Sequence, residues 1–240
     1  MNSISSNQQA MSQKVEKDVE ADTRKGTESF SGPDAAQTLS VAEFMALVKA
    51  TVQTRLECRT CPLFGAHTVV LDTNRDSMGP VDVAFLGLNP GREEVAQDRP
   101  FVGPAGQELR KRMQNLPQES TWLISNFILC HTRNEAAIPQ PEQVLQHCLP
   151  MVRGIVKRFP ARLYVPLGAK AMQVCGIQGR ITANCGHLFK GNTMPLIHPS
   201  AILRASRGPR SNREIFDEGF AHVLHEVQSR WNCTKDTNHS

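Results

Sequence analysis

The chain has 240 residues, 40% of them hydrophobic, and 27 Lys and Arg against 23 Asp and Glu give it a formal net charge of +4. That length supports one substantial core, and no apolar run is long enough to span a bilayer. Residues 1–40 carry four Lys/Arg and six acids, so the remainder holds about +6, a balance that suits a nucleic-acid partner without requiring one.

In chain order, residues 1–39 are polar, aperiodic and almost free of aromatics, and read as a disordered tail. The N-terminus has no apolar h-region, which predicts a cytoplasmic protein. Ser40 with Glu43 forms a capping box that opens a helix to about residue 57. "VDVAFLG" (81–87), "TWLISNFIL" (121–129), "ARLYVPLG" (161–168) and "TMPLIHP" (193–199) read as strands. Helical patterns fall at 105–115, at 141–158 with a bend at Pro150, at 168–175 and at 212–229. Residues 231–240 read as a C-terminal tail, which leaves one domain over 40–230. Short apolar strands alternating with helices predict an α/β fold around a mostly parallel four-stranded sheet. In such sheets ligands bind at the carboxyl ends of strands, and "GLNPG", "SNF", "LGAK" and "HPSA" all fall there.

Several motifs on that rim carry chemistry. In "GLNPG", Gly87 and Gly91 permit close backbone approach and Pro90 stiffens the turn, while Asn89 presents an amide. Neither a dinucleotide fingerprint nor a phosphate loop is present. Phe101, in "RPFVGPAG", is either a buried staple or a stacking platform for a flat ligand. Glu93 and Glu94 read as a solvated loop. His198 ends a strand and precedes Pro199 and Ser200, and Ile202 and Leu203 then stand beside Arg204. Arg204, Arg207, Arg210 and Arg213 suit a phosphate backbone. The seven cysteines are an odd count without a signal peptide, which disfavours a disulfide framework. Cys58, Cys61, Cys130 and Cys148 could hold zinc or an iron–sulfur cluster, and spacing does not choose between them.

As a set, "CRTCPL", a strand followed by G-x-x-P-G, "RPFVGPAG", "SNFILC", a spaced fourth cysteine, "YVPLGAKA" and "HPSAILR" resemble the family 4 uracil-DNA glycosylases. These are the iron–sulfur branch of the uracil-DNA glycosylase superfamily, and the match runs in unbroken order over about residues 40–228. The resemblance implies a three-layer α/β/α fold and a structural 4Fe–4S cluster on Cys58, Cys61, Cys130 and Cys148, with zinc as the alternative occupant. It implies that Phe101 stacks on a flipped uracil, that Asn126 reads the pyrimidine edge, and that His198 stabilises charge on uracil O2. Ser200 and Ile202 to Arg204, with Arg207, match the loop that enters the duplex. Uracil-containing DNA is then the partner of a monomer, with downstream repair or replication proteins as further partners.

The chain departs from that family in one place. Where family 4 members carry G-E-A-P-G, positions 88 and 89 here are Leu88 and Asn89. The turn instead resembles the mismatch-specific and single-strand-selective branches, whose asparagine positions the attacking water. Family 1 enzymes exclude thymine with a tyrosine at the position of Gly91, so a broader lesion range is the alternative. No lysine stands out as a Schiff-base nucleophile, which predicts a monofunctional enzyme. A different class of reading is a silent module that captures uracil sites, or one that traps the product through His131, the residue after Cys130.

Overall fold

The computed structural model describes residues 39–132, 138–204 and 210–236, all within the unit Thr38–Ser240. The expected N-terminal tail therefore lies outside the described residues, apart from its last residue. Helix α1 (Val41–Thr54) begins as the sequence predicts: the Ser40 hydroxyl accepts from the Glu43 N–H, and the Glu43 carboxylate accepts from the Ser40 N–H at 2.8 Å. It ends earlier than expected, because Arg55 turns to extended backbone (ψ 131) before a one-turn helix α2 (Leu56–Arg59). That break reorients the chain so that Cys58 is buried on α2 rather than continuing the α1 surface.

The sheet has four strands in the order β1 (Leu71–Thr73), β3 (Trp122–Asn126), β2 (Val81–Gly87), β4 (Ala161–Pro166). Strand β2 pairs in parallel with both β3 and β4, and β1 pairs antiparallel with β3. The mostly parallel sheet is thus as predicted, but two details differ. Strand β1 is only three residues long, too short to show an alternation in sequence. The segment expected as a strand over 193–199 pairs with β4 only through isolated bridges, Tyr164 with Thr193 and Leu167 with Leu196. Pro195 and Pro199 have no N–H to donate, so this edge cannot continue as a ladder.

Alternation along β2 sends side chains into two cores, which makes three layers. Val83 and Phe85 pack with Leu109 and Met113 of α4 (Pro104–Met113) and with Phe216, Phe220 and Val223 of α8 (Asn212–Asp236). A short helix α3 (Arg92–Gln97) precedes α4 in the chain. Ala84 and Leu86 face Phe44 and Val48 of α1 and Val152 and Ile155 of α5 (Pro141–Arg158). Helix α5 runs through Pro150. Two short helices, α6 (Ala169–Val174) and α7 (Ile181–Asn184), follow β4. Helix α8 continues past 229 to Asp236, so the start of the expected C-terminal tail is helical, and residues 237–240 lie outside the described residues. Among the described residues no helix is long and apolar enough to cross a membrane.

The rings of Phe85 and Phe220 stack with centroids 6.0 Å apart and are essentially unexposed. Phe220→Ala should therefore cost about 3–5 kcal/mol of unfolding free energy, read by denaturant titration, because the cavity cannot close against a β2 strand held on both edges.

Candidate active site

The end of β2 and the end of β3 are neighbours, with Gly87 opposite Asn126 in the parallel ladder. After this pair the chains stay together, since Phe127 N–H donates to the Gly87 carbonyl (3.0 Å) and Ile128 N–H to the Leu88 carbonyl (2.8 Å). A Cβ at position 87 would overlap Asn126 Oδ1 and stand 2.7 Å from Phe101 Cζ. Only glycine lets the Asn126 amide and the Phe101 ring meet over this backbone. Asn126 is 1% exposed, and among the described residues neither Oδ1 nor Nδ2 has a hydrogen-bond partner. A buried amide left unpaired costs roughly 1–3 kcal/mol per group, a cost that a ligand with a matching donor and acceptor edge would remove.

Phe101 is 5% exposed and takes a left-handed backbone (φ 54), which a bulky residue adopts only under constraint. Three contacts impose it. Gly106 of α4 packs directly on the Phe101 backbone, where any Cβ would overlap the Phe101 carbonyl. Arg110 donates from Nε to the Phe101 carbonyl and from Nη2 to the Pro100 carbonyl, each at 2.8 Å. Asp72 at the sheet edge holds Arg110 Nη2 at 2.6 Å. The third contact is Glu94. Its Oε1 accepts from the N–H groups of Val102 and Gly103, each at 2.9 Å, while its Oε2 accepts from Gly91 N–H at 3.1 Å. One carboxylate thus ties the "GLNPG" turn to the Phe101 loop. The expectation of a solvated Glu94 is wrong for this reason, and the signal was present in sequence as an acid three residues beyond Gly91, the N-cap of α3. Glu93 is exposed, as expected.

Phe101 and His198 are ring neighbours, with centroids 5.9 Å apart and planes at 37°. His198 caps the 3-10 helix Pro199–Leu203. Its Nδ1 accepts from the Ser200 N–H (3.2 Å) and lies 2.8 Å from Ser200 Oγ, which in turn accepts from Arg204 Nη2 (2.9 Å). A backbone N–H can only donate, so Nδ1 is the acceptor and the ring hydrogen of the neutral imidazole sits on Nε2. Burial first, and then the Arg204 charge, push the His198 pKa down to about 4 against a small opposing effect of Glu94. The ring is neutral at pH 7.

The remaining predicted residues divide. Asn89 is half-buried, with Nδ2 3.4 Å from the Pro90 carbonyl. Leu88 packs with the buried cysteines. Ile202 packs against the main core, whereas Leu203 is 51% exposed beside the exposed Arg204. Arg207 lies outside the described residues. Arg210 pairs with Glu218, and Arg213 pairs with Glu108 at 3.3 Å, so the run of arginines is not one unpaired cationic patch.

Behind the turn, Cys58, Cys61, Cys130 and Cys148 line one apolar recess, and all four are free thiols. Burial pushes the thiols of Cys58 and Cys130 up, and that of Cys148 up to about 12. Among the described residues no three Cys, His, Asp or Glu side chains close on a single-ion position. The thiols instead surround the recess, together with His147, whose buried Nδ1 has no partner among the described residues. Four soft sulfur donors and an orphaned imidazole nitrogen around an apolar recess fit a sulfur-ligated metal group.

The Glu94 clamp makes a structural prediction. Glu94→Gln turns one acceptor into a donor facing an N–H, so stability should fall by about 1–3 kcal/mol. Amide hydrogen exchange should quicken at Gly91, Val102 and Gly103 while β2 stays protected. The His198 shift makes another. The unfolded chain takes up this proton near 6.5 and the folded chain only near 4. His198 therefore adds stability above about 6.5 that is lost as pH falls toward 4, and His198→Asn should flatten that part of a pH–stability curve.

A family model described as "Uracil DNA glycosylase superfamily" matches residues 77–223. A type-4 uracil-DNA glycosylase of Thermotoga maritima is 31% identical over 172 residues, covering 68% of this chain and 84% of the relative. Proteins of the same name from Archaeoglobus fulgidus and Saccharolobus solfataricus are 26% and 22% identical over 161 and 189 residues. They cover 62% and 72% of this chain and 79% and 83% of their own lengths. With the paired strand ends, the orphaned amide and the four gathered thiols, these similarities place the chain in the uracil-DNA glycosylase superfamily, on the side of its family 4 members.

Proposed function

We propose that the protein is a monofunctional uracil-DNA glycosylase that flips uracil out of DNA and hydrolyses its N-glycosidic bond, the first step of base-excision repair. The observation that carries this reading is Asn126. A buried amide with both atoms unpartnered, beside an aromatic ring and over a bare glycine, is complementary to the N–H and C=O edge of a pyrimidine. Flipping costs a few kcal/mol, and stacking on Phe101 returns about 1–3 kcal/mol of it.

The chemistry follows from what the residues can and cannot do. Asn89 is a neutral amide, so it cannot take a proton usefully. It can accept a hydrogen bond from water and hold that water beneath the anomeric carbon. Holding suffices where the transition state is an oxocarbenium ion with a departing anion, since positioning and electrostatics then dominate. His198 supplies the electrostatic part: its neutral ring donates from Nε2 to O2 as negative charge builds there. The Ser200 N–H on Nδ1 keeps the ring in that tautomer. Leu203 and Arg204, exposed side by side, are the apolar and cationic pair for the gap and phosphates left by the flipped base.

Cys58, Cys61, Cys130 and Cys148 would hold a 4Fe–4S cluster, which supplies a covalent brace among α2, the loop after β3 and α5. A second reading, a wider lesion range, rests on Gly91, which puts no side chain of its own into the turn.

Excision from single- and double-stranded oligonucleotides, each carrying one uracil, mismatched thymine or hypoxanthine, decides between these readings. We expect uracil excision that leaves an intact abasic strand. Asn89→Ala and His198→Ala should each lower the single-turnover rate by about 10²–10³, and the rate should show no histidine inflection near pH 6.5. A protein that leaves uracil in place sinks the proposal. Purified protein should be brown, with a broad band near about 400 nm that Cys148→Ala removes. A colourless protein carrying stoichiometric zinc would overturn the cluster assignment.

A further inference from the structure

His131 has no part in the chemistry above, yet it touches the turn that holds Asn89. Its Nδ1 lies 3.0 Å from the Pro90 carbonyl oxygen. A carbonyl only accepts, so Nδ1 carries the hydrogen. The same oxygen lies 3.4 Å from Asn89 Nδ2. Two N–H donors from separate segments therefore meet on one carbonyl. The Asn89 contact is long and restrains that side chain weakly by itself. The His131 bond is the shorter of the two, and its backbone is anchored independently: His131 N–H donates to the His67 carbonyl at 2.9 Å, next to the bridge between Thr68 and Cys130.

We propose that His131 is a positioning residue for the turn. By fixing the direction of the Pro90 carbonyl, it fixes where Asn89 Nδ2 rests. An amide is planar, so with Nδ2 turned back on Pro90 its Oδ1 faces the other way, toward whatever the turn meets. The inference rests on the reading of Asn89 as the water-holding amide. It assigns His131 Nδ1 to the protein's own backbone, and the adduct measurement below separates this role from attack on the product through Nε2.

The test uses the full-length protein with its metal group in place and a single-stranded uracil oligonucleotide under single-turnover conditions. His131→Asn sets an amide nitrogen at the place of Nδ1. His131→Gln sets it near the place of Nε2, and His131→Leu has no donor. The Leu and Gln variants should excise about tenfold more slowly with unchanged oligonucleotide Kd, the scale of one lost hydrogen bond in the transition state. The Asn variant should recover most of the rate. Adding His131→Leu to Asn89→Ala should cost nothing more, since a residue that acts through Asn89 has nothing left to position.

The proposal is overturned by a fully active Leu variant, by equal loss in the Asn and Leu variants, or by additive loss in the double variant. It also fails if the loss tracks absorbance near 400 nm across the variants, or if a His131-dependent protein–DNA adduct appears on a denaturing gel. Wild-type protein that excises no uracil would instead remove the glycosylase reading itself, which the variant series presupposes.

Discussion

A single carboxylate joins the two loops that face each other at the end of the sheet. Glu94 accepts one N–H from the "GLNPG" turn and two from the loop after Phe101. Charge-assisted bonds to backbone donors are among the stronger polar interactions in a folded chain, roughly 1.5–3 kcal/mol each. They are needed here, because Phe101 holds a left-handed backbone that costs about 1–3 kcal/mol and persists only where its surroundings over-determine it. Arg110 and Gly106 complete the restraint from the side of α4. The ring that neighbours both Gly87 and His198 is therefore placed by backbone contacts on three sides as well as by its burial in the core.

The site and the cysteine recess are continuous. Leu88, inside the turn, packs in the same apolar cluster as Cys58, Cys130 and Cys148, and His131 carries the connection from Cys130 to Pro90. Buried thiols resist ionisation, and that of Cys148 does so up to about 12. Gathering them with Cys61 around one apolar recess gains little unless a metal group takes the charge of their thiolates. A sulfur-ligated metal group in this recess would brace the glycine- and proline-rich turn from behind. The recess also accommodates Leu at position 88: its side chain packs there, and its carbonyl accepts from the Ile128 N–H.

Much of this was legible in the sequence. The capping box at Ser40, the alternation in "VDVAFLG", and the placing of the motifs at strand ends follow from local chemistry and the period of the elements. Local chemistry was also the limit. Strand β1 exists because β3 offers an edge, since three residues cannot announce themselves. The segment after Thr193 looked like a strand by composition, yet its prolines keep it to isolated bridges. Glu94 read as a surface acid because its three donors come from positions 91, 102 and 103, two of them beyond the reach of a turn-by-turn reading. The pairing of Arg213 with Glu108 likewise depends on how α8 meets α4, whereas Arg210 pairs with Glu218 of the helix that it precedes.

By itself, the sequence determined the α/β class, the rim that carries the motifs, and the residue types available there: an amide, an aromatic, a histidine and four thiols. Periodicity and turn chemistry are local properties, and they survive without knowledge of the fold. Only the tertiary structure decided that Asn126 is buried with no partner among the described residues, that His198 is neutral with its hydrogen on Nε2, and that the four cysteines share one recess. Each of these depends on which groups distant in the chain exclude water from one another, and that is settled by packing alone.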